Sequence, residues 1–135
     1  MRFLITGANG TVGTPVVQNL LKHGHDITVI VRPKPEASAE QRMLDALKVN
    51  RLPDGLVVIP GVIEQQRCGV SFIDLTMLML KGNTVDAVIH VAANVNFMDK
   101  GDGAIRRTNV DGTKNVLALA EMLGGPDFHY VSTLF

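Results

Sequence analysis

Cysteine is nearly absent from these 135 residues: Cys68 stands alone. A single thiol builds no disulfide framework, and a reducing cytoplasm is the simplest setting for such a chain. Net charge is absent as well, with 13 basic residues against 13 acidic ones. That balance removes the main electrostatic argument for nucleic acid or an anionic membrane as a partner. Long apolar runs are missing too. Phe3-Leu4-Ile5 is too short for a signal-peptide core and is broken by Gly7. The uncharged run from Ala87 to Met98 falls well short of the ~20 residues a membrane helix needs. No pair of His, Cys or acidic residues has metal-ligand spacing, so no metal is expected. Tyrosine occurs once, at Tyr130, a scarcity that bears on the chemistry below.

Apolar residues, by contrast, make up 46% of the chain, enough to bury a core at the size of one domain. Residues 1–135 read as a single unit without an internal linker or repeat. Strand and helix signals alternate along it. Residues 2 to 6 read as a buried strand, and Val12 to Lys22 as a helix with Val12, Val16 and Leu20 on one face and Pro15 in its first turn. Gly24 follows where a helix C-terminus wants glycine. Ile27 to Val31 reads as a second strand, Glu36 to Lys48 as a charged helical excursion, and Leu56 to Ile59 as a third strand. Then come a helix from Phe72 to Leu80, a strand from Asp86 to Val91, a long helix from Ala104 to Leu123 and a fifth strand from Phe128 to Ser132. Continuous apolar strands separated by helices predict an α/β fold: a doubly wound, Rossmann-type parallel sheet of order 3-2-1-4-5. Ligands in such sheets bind beyond the carboxyl ends of the strands where the winding reverses, here between the first and fourth strands.

Gly7, Gly10 and Gly13 fall between the first strand and the first helix, in "TGANGTVG". A side chain at Gly7 is expected to obstruct the tight turn. One at Gly10 would keep the backbone away from a pyrophosphate, and one at Gly13 would separate helix from sheet. Asn9, Thr11 and Val12 complete the loop. The helix N-terminus behind it offers unpaired N–H groups and the positive end of a dipole, which suits an anion. The plain alternative is an ordinary strand–helix connection, but glycines placed in this order between these elements favour a dinucleotide. NAD binders usually carry an acidic residue at the end of the second strand. Here that strand runs into Arg32-Pro33-Lys34. Arg32 suits a 2′-phosphate, with Lys34 as support, so NADP (as NADPH) is expected and NAD is the alternative. The competing reading of Arg32 is a solvated loop cation.

Four motifs together resemble a known family. "TGANGTVG" fits the TGxxGxxG loop of extended short-chain dehydrogenases/reductases. "VIHVAANVNF", "TNVDGTKNVL" and "FHYVSTLF" are similar to the branch that holds thioester reductases, the reductase domains of carboxylic acid reductases and fatty acyl-CoA reductases. The resemblance implies reduction of a thioester-bound acyl group by NADPH, to an aldehyde or an alcohol. It also implies that Ala92 and Ala93 line the nicotinamide-ribose side of the cofactor, where small residues let a flat ligand approach the backbone. Asn109 would contact main chain and the cofactor surroundings; it reads equally well as a structural amide tying helix to strand. The resemblance places the substrate-polarising hydroxyl at Thr133, or else at Ser132, with a strand-end capping role as the alternative.

Two departures from the pattern stand out. The family's acidic residue after the third strand, which reaches the adenine, is replaced by Val62, leaving backbone groups or Ile63 to meet that ring. The family's Tyr-x-x-x-Lys pair is absent, since Tyr130 has no lysine four residues on. The expected picture is therefore the NAD(P)-binding part of a reductase, truncated before its C-terminal substrate region and inactive by itself. Its exposed sheet edge is expected to promote self-association. Two other functions fit the same motifs: a non-catalytic dinucleotide-sensing regulator, and a fragment of a nucleotide-sugar epimerase or dehydratase. His90, inside the fourth strand, reads as a buried, hydrogen-bonded structural histidine.

Overall fold

The computed structural model describes residues 1–80, 82–96, 98 and 100–132. Five strands, β1 (Arg2–Thr6), β2 (Asp26–Val31), β3 (Leu56–Pro60), β4 (Ala87–His90) and β5 (Asp127–Tyr130), form one sheet. Their order is β3-β2-β1-β4-β5 and every pairing is parallel, as the strand–helix alternation predicts. The register sets Thr6 beside Ile30 on one side and His90 on the other, so three strands end level with one another.

Alternation along the strands divides the core into two layers. Leu4, Ile30, Ile59 and Val88 face Val116 and Leu119 of helix α5 (Thr113–Met122) and Leu75 and Leu78 of α3 (Phe72–Met79). Phe3, Ile5, Val29 and Val31 face the opposite way, onto Val17 of α1 (Gly13–Lys22) and Met43 and Leu47 of α2 (Ala39–Leu47). With apolar side chains on both faces, β1 and β2 lie in the interior, as a sheet sandwiched between helices requires. β5 is the exception. It forms one end of the sheet, and Tyr130 is about half exposed.

The element boundaries differ from the sequence reading in instructive places. Val12 precedes α1, is 51% exposed, and does not join the buried stripe, whose centre is Val17. Val12 takes the N-cap position, one residue ahead of the helix proper. The excursion from Glu36 becomes helical only at Ala39. Pro33 and Pro35 oppose helix before it, and Lys34 and Ala37 exchange backbone hydrogen bonds across a tight turn. Ser38 then caps α2, accepting a hydrogen bond from the Gln41 N–H at 3.0 Å. Ser38→Ala is expected to lower stability by about 1 kcal/mol, readable as a lower urea midpoint at unchanged slope.

The long helix is not uniform. An α-helical turn, α4 (Ala104–Arg106), passes into a π-helical stretch over Arg107–Gly112 before α5 resumes. Such wide turns insert a residue into the helix and cluster at functional sites. The fifth strand ends at Tyr130, two residues sooner than expected, and Thr133 lies outside the described residues.

Candidate functional site

The level ends of β1, β2 and β4 form the floor of a cleft of about 620 Å³. The glycine loop forms one wall. Gly7 leaves β1 with φ of 71°, in the left-handed region that suits glycine. A Cβ there would stand 2.5 Å from the Ala92 nitrogen, so the loop and the segment after β4 pass each other at backbone contact. Gly13 seats the start of α1 directly on the chain leaving β1: its Cβ would stand 2.7 Å from the Gly7 carbonyl carbon and 2.8 Å from the Ala8 Cα. Gly10 is the open one, where a Cβ would meet only the Gly7 oxygen, at 3.3 Å. The loop is held by Gly10 N–H to Gly7 O (3.1 Å), Thr14 N–H to Gly10 O (3.0 Å) and the Thr14 hydroxyl to Ala8 O (3.1 Å). No side chain caps the first turn of α1.

The cleft brings together nearly all the residues picked from sequence. Gly7, Asn9, Gly10, Thr11, Val12 and Gly13 line it from the loop, Arg32 and Lys34 from beyond β2, Ile63 from beyond β3, and Ala92 and Ala93 from beyond β4. Asn109 stands behind the lining. Its side-chain oxygen accepts the Asn94 N–H at 2.7 Å and its amide donates to the Asn94 carbonyl at 3.0 Å. It thus clamps the main chain of a residue that does line the cleft, which joins the two roles considered for it. Ser132 is exposed two residues past β5 and is not part of the cleft lining. Tyr130 stacks on His90, ring centroids 5.5 Å apart, while remaining about half exposed.

Two contributors escaped the sequence reading. The charges after Arg32 read as a solvated excursion, yet Arg42 turns back from α2, donates to the Arg32 carbonyl and lines the cleft. Glu64 pairs with Arg32, and the same oxygen accepts the Thr108 hydroxyl at 2.6 Å. A carboxylate does follow β3, two positions later than Val62, but it faces Arg32. Burial pushes its pKa up, and the Thr108 hydroxyl and Arg32 together outweigh that, so the carboxyl sits below its ordinary value. Thr108 is 44 positions from Glu64, and no local pattern connects them.

His90 is fully buried and hydrogen-bonded through both ring nitrogens, as the sequence reading has it. Its Nδ1 lies 2.6 Å from the Thr6 hydroxyl and its Nε2 lies 3.0 Å from the Thr113 hydroxyl. Thr113 donates its proton to the Asn109 carbonyl at 2.8 Å, so its oxygen is left to accept from Nε2–H. Nδ1 is then unprotonated and accepts from Thr6, whose oxygen in turn receives the Ala92 N–H at 3.4 Å. One proton arrangement satisfies the whole chain of bonds, from Ala92 beside the glycine loop to Asn109 and Asn94. Burial pushes the His90 pKa down from 6.5 to about 4, which keeps the ring neutral. Cys68, buried and with its thiol pushed up to about 12, is no nucleophile at neutral pH. Among the described residues no cluster of metal-ligating side chains occurs, and no helix is long and apolar enough to cross a membrane.

Comparison with known proteins agrees with this geometry. A family model described as "Male sterility protein", an NAD-binding family, matches residues 5–135. Peramine synthetase ppzA of Metarhizium rileyi is 32% identical over 137 residues, covering 96% of this chain and 5% of that protein. Among solved structures, the terminal R domain from the myxalamid PKS-NRPS biosynthetic pathway superposes with a TM-score of 0.80 at 30% identity, over 98% of this chain and 34% of that one. A thiolation-reductase di-domain from an archaeal non-ribosomal peptide synthetase gives 0.78 at 25% identity, over 98% and 28%. The chain therefore spans a small part of the curated relative and about a third of the structures it matches.

Proposed function

The chain belongs to the NAD-binding male sterility protein family, and we propose that it is the NADPH-holding part of a reductase acting on an acyl thioester. The observation that carries this reading is the cleft at the sheet's switch point, bare main chain at Gly10 on one side and the cations Arg32, Lys34 and Arg42 on another. A dinucleotide fits the residues present: where a side chain at position 10 would project, the cleft is open. The similarity to reductase domains of peptide-synthetase assembly lines supports a thioester as the substrate class.

The loop amides and the uncapped start of α1 hold the pyrophosphate. Arg32 and Lys34 hold the 2′-phosphate, and no carboxylate at the end of β2 is present to prefer a ribose hydroxyl. Ile63 packs on the adenine side. Ala92 and Ala93 give close access to the nicotinamide ribose, and Asn109 keeps that wall in place through Asn94. NADPH, when bound, supplies the hydride. Of the two hydroxyls, Thr133 is the one assigned to polarise the substrate oxygen, since Ser132 stands outside the cleft lining.

Titration calorimetry on the 135-residue chain tests this. NADPH is expected to bind about tenfold more tightly than NADH, and Arg32→Glu to erase the difference. Equal affinities before mutation would defeat the 2′-phosphate assignment. No heat with either nucleotide, from a chain shown to be folded, would defeat the dinucleotide reading altogether.

A further inference from the structure

Arg32 does not face the cleft alone. Its guanidinium is half exposed, while its partner Glu64 is only 18% exposed. One carboxylate oxygen of Glu64 receives both Arg32 and Thr108. The other is buried and has no hydrogen-bond partner among the described residues. Such a carboxylate has given up most of its water and depends on Arg32 for compensation. Thr108, which bonds Glu64, belongs to the π-helical stretch, so the pair is tied to that element.

From this arrangement we propose that Glu64 is a specificity-determining residue that competes with the 2′-phosphate for Arg32 and so restrains the preference for NADPH over NADH. The inference rests on the dinucleotide reading of the cleft. A 2′-phosphate placed on Arg32 would share one guanidinium with Glu64, bringing two anions together. NADH carries no such phosphate and meets no such repulsion. Removing the Glu64 charge therefore strengthens binding of one nucleotide and leaves the other alone. Lys34 and Arg42 also face this end of the cleft, but neither is bonded to Glu64 among the described contacts.

Glu64→Gln tests the idea, since glutamine keeps the length and the acceptor for Thr108. Calorimetry is expected to show NADPH binding about tenfold tighter than in the parent chain, with NADH within about twofold. In an Arg32→Gln background the same change is expected to have no effect on the ratio of the two affinities. Equal effects on NADPH and NADH, no effect on either, or an effect that survives loss of Arg32 each overturn the proposal. If the parent chain binds neither nucleotide, the dinucleotide reading itself fails and this inference goes with it. Should circular dichroism show Glu64→Gln unfolded, Glu64→Asp draws the charge back by one methylene, and the ratio is expected to rise in the same direction by a smaller factor. A ratio that fails to rise overturns the proposal.

Discussion

Gly13→Ala is expected to destabilise the chain by about 3 kcal/mol or more and to abolish dinucleotide binding. The added methyl would lie 2.7 Å from the Gly7 carbonyl carbon and 2.8 Å from the Ala8 Cα, closer than real side chains approach a backbone. Neither atom can retreat cheaply. Ala8 is fully buried. Gly7 is pinned by the Gly10 N–H and by its own close pass along Ala92. Relief would require α1 to lift off the loop, withdrawing Val17 from the core. Gly10→Ala provides the contrast: its methyl meets one oxygen at 3.3 Å and otherwise faces the cleft. That variant is expected to fold within about 1 kcal/mol of the parent while binding nucleotide far more weakly. Urea denaturation and calorimetry on both variants separate the two roles, and a Gly13→Ala chain as stable as the parent would show that the loop is softer than described.

His90→Leu is expected to have the next largest effect, a loss of about 2–4 kcal/mol at pH 7. Leucine fills the space but leaves the hydroxyls of Thr6 and Thr113 without the ring nitrogens they bond. The pH dependence should change with it. In the folded chain the ring is held down to about 4, against 6.5 ordinarily, so between those values the unfolded chain binds more protons. Stability conferred by the neutral ring is thus complete above about pH 6.5 and drains away as pH falls toward 4, at up to about 1.4 kcal/mol per pH unit. Glu64, held below its ordinary value, adds a further loss at the acid end. The leucine variant should lose the His90 part of this slope. Denaturant titrations at pH 7 and pH 5 on both chains provide the measurement, and identical pH dependence would mean that His90 is not the neutral link assigned here.

Much of this was legible in the sequence because it is local. The three glycines sit within seven positions, and their order after an apolar strand is enough to place a loop and a helix start. The β-branched runs gave the strands, and strand–helix alternation gave the sheet order. Less was legible where geometry depends on partners far along the chain. Val12 matches the apolar spacing of α1 as well as Val17 does, yet it takes the N-cap position and is exposed. Arg42 looks like any charged helix residue until the turn at Lys34 and Ala37 folds α2 back over the cleft. The Glu64–Thr108 contact depends on where a π-helical stretch aims one hydroxyl, and nothing in "RTNVDG" announces that widening. Glu64 lies two residues past Val62, and its pairing with Arg32, 32 positions away, leaves no local mark in the sequence.

The absent side chain at Gly7 has a consequence for anyone wishing to borrow this loop. It permits the turn, and it also opens the gap through which Ala92, in the segment that follows β4, runs. The glycine loop is therefore not a portable cassette. Grafting residues 6–13 onto a foreign sheet would succeed only where the host's neighbouring strand exits along the same narrow track, so residues 91 and 92 must travel with the graft.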